Sequence, residues 1–205
     1  MTLRNRLFGP SKKEVWQRLS EETDAKFVDG GFWKGTDKVE VTHGQWTMTL
    51  DTYVVSTGKV TVVFTRMRAP YVNPNGFRFN IYRRSIFSGL GKLLGMQDIE
   101  IGDEAFDRDF IIKATDDSQV RTLLANPKIR QLIDQQPEIQ FSVKDDEGWF
   151  GSKFPEGVDE LHFQVKGIIK DVDRLKLLYE LFAETLDELC RIGSAYDGAP
   201  NVTLK

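Results

Sequence analysis

Between Phe106 and Gln136 the chain spells out three elements and their boundaries in one uninterrupted run, FDRDFIIKATDDSQVRTLLANPKIRQLIDQQ. Phe106, Phe110, Ile112 and Ala114 alternate with Asp107, Asp109, Ile111 and Lys113, the period-2 pattern of a strand with one apolar face. Asp116 or Asp117 ends that strand and caps a helix whose Val120, Leu123 and Leu124 fall at i, i+3, i+4. Asn126-Pro127 breaks this helix and starts another, with Asn as the cap, Pro in the first turn, and Ile129, Leu132 and Ile133 repeating the spacing. Any fold for this chain must accommodate strand, helix, helix in that order.

The rest of the chain arranges itself around that unit. Ser11-Lys-Lys-Glu14 matches a capping box, so a helix runs from there to about Ala25 with Val15, Trp16 and Leu19 on one side. Four strands then follow with short connections: Lys38 to Thr42, Gln45 to Val55, Val60 to Arg68 and Phe77 to Arg84. Their alternation and their turns at His43-Gly44 and Ser56 to Lys59 predict an antiparallel meander. Ser85 to Gly95 has the spacing of a short helix softened by glycine. The acidic stretch from Gln97 to Asp109 joins the two halves. After Pro137, strands are predicted around Ile139, Phe141 and Val143 and around Leu161, Phe163 and Val165. A long amphipathic helix capped by Asp171 or Asp173 then carries Val172, Leu175, Leu178, Tyr179, Phe182, Leu186 and Leu189, and Gly193 stops it. Residues 194–205 read as a loose end.

The expected fold class is therefore α+β. An antiparallel β-meander with an N-terminal helix (residues 1–95) is followed by a β-α-α-β-β-α unit ending in a long amphipathic helix (residues 96–205). The run Phe106-Asp107-x-x-Phe110-x-Ile112, with Asp116 and Leu123-Leu124 after it, resembles a bacterial family of domains of unknown function, over residues 96–192. Many members of that family carry transmembrane segments before the unit. The resemblance implies a structural pattern and no activity, so no catalytic residue is carried over.

Composition narrows the function classes. Formal net charge is −3, from 28 basic and 31 acidic side chains, without the basic excess of a dedicated nucleic-acid binder. The single Cys190 has no intrachain disulfide partner. No window approaches the roughly 18 apolar residues of a membrane span, and MTLRNRLFGPSKKEVW has no apolar core of a signal peptide. A soluble, cytoplasmic protein is expected.

Candidate chemistry is sparse. The two histidines and one cysteine are too dispersed for a zinc site; His43 falls in a turn, and His162 alternates with Leu161 and Phe163, so both are expected to be exposed. Asp98, Glu100, Asp103, Glu104, Asp107 and Asp109 could hold a hard divalent cation or could form a solvated acidic edge. Ser88 to Gly95 has neither P-loop nor Rossmann spacing. The main ligand-binding candidates are Arg66, Arg68, Arg78, Tyr82 and Arg84, which adjacent strands would gather into a patch for a small anionic ligand. The same arginines could instead pair with carboxylates and tie the halves together. Trp149, Phe150 and Phe154 lie in a Gly- and Asp-rich loop and are candidates for contact with a protein partner or for a satellite core. No catalytic residue, metal ligand or cofactor is assigned, and homo-oligomerisation stays open. The expectation is a non-enzymatic ligand- or protein-binding module. The alternative is a hydrolase or transferase acting on an anionic, phosphorylated substrate, with a divalent cation held between Asp98 and Asp109.

Overall fold

A row of seven apolar side chains crosses the whole molecule: Val39, Leu50, Met67, Phe163, Phe141, Ile81 and Ile112 are successive cross-strand partners, all of them buried. The row belongs to one antiparallel sheet. A computed structural model describes residues 9–31, 36–56, 58–85, 98–146, 153–196, 198–202 and 204. Within them the elements are, in chain order, α1 (Lys12–Thr23), β1 (Lys26–Val28), β2 (Lys38–His43), β3 (Trp46–Ser56), β4 (Thr61–Val72), β5 (Phe79–Arg83), α2 (Glu104–Asp109), β6 (Phe110–Ala114), α3 (Asp117–Ala125), α4 (Pro127–Asp134), β7 (Gln140–Lys144), β8 (Val158–Lys166) and α5 (Val172–Arg191). The eight strands lie in the order β1-β2-β3-β4-β8-β7-β5-β6. This is an α+β fold with the long C-terminal helix that the heptad-like stripe predicts.

Local chemistry sets most of the boundaries. Ser11 and Glu14 form the reciprocal capping box of α1, and Asp24 ends it in the left-handed region at φ 52°. Asp116 caps α3 by accepting from the amide of Gln119. Asn126 caps α4 ahead of Pro127, and Asp171 caps α5. At the β2–β3 turn Gly44 takes φ 56°, a conformation that costs glycine nothing.

The helices cover one face of the sheet. Phe182 of α5 meets Phe141 of β7 with ring centroids 5.6 Å apart. Trp16 of α1 is fully buried beside α5 and donates its indole N–H to the carbonyl of Ile169. On the other side of α5, Asn126 at the α3–α4 junction donates to Glu184. The apolar stripes of α1, α3, α4 and α5 and the apolar row of the sheet thus close on one another as a single core.

The structure corrects several expectations. Residues 104–109 form α2, so the strand begins at Phe110 rather than Phe106. Asp103 caps that helix by accepting from Phe106 N–H, and Phe106 stacks on Phe110 at 4.4 Å; a spacing of four serves a helix as well as a strand. The four-strand meander is also incomplete, because β8 and β7 lie between β4 and β5. Asn73 turns the chain out of β4, donating to Phe77 O and to Asp159 of β8, so the chain passes the end of β8. Strands from either side of residue 95 therefore interleave in one sheet. Residues 194–196 are not loose either. Ser194 and Ala195 are buried, and Tyr196 N–H donates to Val72 O. The helix expected within residues 85–95 falls outside the described residues, Ser85 apart.

Candidate functional site

One residue along every strand from the apolar row runs a second row facing the other way. Glu40, Thr49, Arg68, His162, Ser142, Asn80 and Lys113 are successive cross-strand partners. Five of them are buried: Thr49, Arg68, His162, Ser142 and Asn80. Alternation in sequence explains why they share a face. It does not explain their burial, since the polar side of a one-layered sheet is ordinarily wet.

Arg66 and Arg68 come together here on one carboxylate. Asp51 of β3, the cross-strand partner of Arg66, accepts from Arg66 Nε at 2.6 Å and Nη2 at 3.1 Å and from Arg68 Nη2 at 2.8 Å. The Asp51 and Arg68 side chains are 2 % and 1 % exposed. Glu160, fully buried, lies 3.9 Å from Arg68 Nη1. Arg66 also lies over the ring of Tyr53 at 4.9 Å. The Tyr53 hydroxyl donates to Gln164 Oε1 at 2.7 Å, and burial raises its pKa.

The other three ligand candidates are elsewhere. Arg78 precedes β5 and grips Asp159 and Asp145; its hydrogen bonds to Asp159 raise its pKa. Arg84 follows β5 and donates to the carbonyls of Asp107, Arg108 and Phe110. Those two guanidiniums flank β5 at opposite ends, six residues and about 20 Å of strand apart. Tyr82 is buried within the sheet, which raises its pKa. The arginines thus meet carboxylates and carbonyls at three separate places. Trp149 and Phe150 lie outside the described residues; Phe154 is half-buried and donates its amide to Asp145 O.

The acidic run is used locally. Asp98 pairs with Lys113 at 3.2 Å, Asp103 caps α2 and lies 3.4 Å from Arg130, Asp107 accepts the amides of Ile101 and Gly102, and Asp109 pairs with Arg108. Among the described residues no group of three or more His, Cys, Asp or Glu has the arrangement to hold a metal ion. His43 is partly exposed and reaches Asp187 of α5 at 2.9 Å.

His162 overturns its expected exposure: it does point away from the helices, yet it is 5 % exposed. Lys144 Nζ lies 3.2 Å from His162 Nε2. Burial pushes the Lys144 ammonium down to about 8, with Arg66 and Arg68 adding to the fall and Glu160 and Asp146 opposing it. Burial first, and then the charges of Lys144, Arg66 and Arg68, hold His162 well below the usual imidazole range. His162 is therefore neutral at pH 7. An ammonium has only donors to offer, so Nε2 is the acceptor and the ring proton sits on Nδ1. Among the described residues that Nδ1–H meets no acceptor, and Ser142 Oγ and Asn80 Oδ1 have no hydrogen-bond partner. Buried polar atoms in folded proteins are ordinarily satisfied, so three in adjacent positions of one row mark a place for something polar.

An open cavity of about 500 Å³ lies on the β2–β3–β4 part of the sheet, lined by Glu40, Thr47, Thr49 and Pro70 and bounded by residues 199–202 and 204. Thr49 is the cross-strand partner of Arg68, and Pro70 that of Glu160, so the cavity abuts the charged cluster. Lys144, His162, Ser142, Asp51 and Glu160 escape a reading of the sequence alone. Their signal is alternation with Phe141, Val143, Leu161 and Phe163, and for Asp51 with Leu50, which a wet face would share.

Compared with family models, with curated proteins and with solved structures, the chain has no match in any of the three.

Proposed function

We propose that this protein is a non-enzymatic binding module that receives a small anionic ligand on the polar face of its sheet, beside Lys144. The observation that carries this reading is the pair of unmet hydrogen-bonding atoms on His162 and Ser142 next to the half-buried Lys144 ammonium. Lys144, His162 Nδ1–H and the Ser142 hydroxyl offer three donors from neighbouring strand positions. The carboxylates Asp51, Glu160 and Asp146 balance the cations Lys144, Arg66 and Arg68 around the site, so what favours an anion here is the convergence of donors. Arg66 and Arg68 fix the field of the site through Asp51 rather than reaching out as a separate patch. A carboxylate or phosphate fits such donors better than a neutral ligand, because hydrogen bonds to a charged acceptor are about twice as strong.

A thermal-shift titration with acetate, lactate, phosphate and sulfate at fixed ionic strength tests the proposal. A small carboxylate or phosphate should raise Tm by mass action, the rise should disappear in Ser142→Ala and Lys144→Met, and it should persist in Arg84→Ala. Stabilisation by Mg²⁺ or Mn²⁺ with no response to any anion would favour the hydrolase or transferase alternative instead.

A further inference from the structure

We infer that the anion received at this face is an aldehyde or ketone acid, which Lys144 captures covalently as an imine; the inference rests on the anion-binding reading and names its substrate class. Imine formation needs a primary amine whose lone pair is free near neutral pH, a base beside it, donors for the carbonyl oxygen, and an approach from solvent. Each has a residue here.

Lys144 is half-buried at the end of β7, and its hydrogen-bond partner among the described residues is the imidazole of His162 rather than a carboxylate. Burial beside two guanidiniums brings its pKa to about 8, so about one amine in ten is neutral at pH 7, against about one in three thousand for an ordinary lysine. His162 Nε2, 3.2 Å away, is an uncharged base within hydrogen-bond distance of that amine. The Ser142 hydroxyl and the His162 Nδ1–H are unpartnered donors for the carbonyl oxygen or for the ligand's carboxylate. Lys144 is not fully buried, which leaves a small carbonyl compound an approach to its amine from solvent.

The reaction balances without a redox partner. The nitrogen lone pair forms a C–N σ bond to the carbonyl carbon as the C–O π bond breaks; after the nitrogen gives up a further proton, its electron pair forms the C=N π bond as the C–O σ bond breaks. Two of the three ammonium protons, moved by way of His162, leave with the carbonyl oxygen as water. The product is a protonated imine that keeps the single positive charge of the lysine, next to Glu160.

The test is reductive trapping on the full chain. The protein is incubated at pH 7 with pyruvate or glyoxylate and cyanoborohydride, then read by intact mass and peptide mapping. One adduct per chain is expected, on Lys144, formed at least tenfold faster than on an exposed lysine such as Lys59. Lys144→Arg, which keeps the cation and the fold, should lose the adduct. Ser142→Ala should slow trapping several-fold. Label spread evenly over surface lysines, or none on Lys144, overturns the inference. Lactate, which has no carbonyl to attack, separates the two proposals: if it raises Tm while no adduct forms, covalent capture is wrong and anion binding stands. If it has no effect and no adduct forms, both fall.

Discussion

Replacing Asp51 by alanine removes the acceptor from two guanidiniums at once, and the structure sets the size of the effect. Three charge-assisted hydrogen bonds of 2.6, 2.8 and 3.1 Å vanish. Arg68, 1 % exposed, keeps its charge away from water with Glu160 3.9 Å from its Nη1, while Arg66, with 15 % of its side chain exposed, can partly re-solvate. Breaking a buried ion pair from one side costs about 3–5 kcal/mol, mostly the desolvation of the charge left behind. That is a large share of the roughly 5–15 kcal/mol that holds a domain folded. With a urea m-value of about 2–3 kcal/mol/M for a chain of this size, the unfolding midpoint should fall by about 1–2 M. A loss under about 1 kcal/mol for Asp51→Ala would mean that both arginines are already hydrated, and the account of this face as a buried polar layer would fail.

Other outcomes follow from the same geometry. Phe141→Ala, at the centre of the apolar row and in ring contact with Phe79 and Phe182, should cost about 3–5 kcal/mol in urea unfolding. Asn126→Ala removes the cap of α4 and should cost about 1 kcal/mol; a neutral result would show that the junction is held by Pro127 alone. His162 stays neutral in the folded protein but takes a proton in the unfolded chain below about pH 6.5, so it draws stability down as pH falls through that value. His162→Gln should lose this part of the acid dependence between pH 7 and 5, and a His162 proton resonance titrating near 6.5 would contradict the burial. For Lys144 the folded pKa lies below the unfolded one, so the unfolded chain binds more protons between about pH 8 and 10.5 and stability rises with pH across that window. Lys144→Met should therefore be stabilised relative to the parent at pH 7, and the difference should shrink towards pH 10.

The polar residues of β7 and β8 show why the site was harder to read than the fold. Ser142 and Lys144 alternate with Phe141 and Val143, and Glu160 and His162 with Leu161 and Phe163, so the sequence assigns every one of them to the correct face. Whether that face is wet or covered depends on parts of the chain far away, and no local pattern records it. The arginines make the same point. Arg66 and Arg68 were legible as neighbours because they share one face of one strand, two residues apart. Their partner Asp51 became identifiable only once the β3–β4 register was known. Arg78 and Arg84 looked like members of the same group, but they belong to the two ends of a strand that is separated from β4 by β8 and β7.

What the amino-acid sequence determined by itself was the set of elements that rest on short-range chemistry. The caps at Ser11, Asp116, Asn126 and Asp171, the apolar stripe of α5 and the two-residue alternation of the strands each depend on contacts within a few positions. The tertiary structure decided the strand order, the start of β6 at Phe110 and the burial of the second face. Those choices follow from which distant apolar surfaces exclude water most completely together, a property of the whole chain that no window of it contains.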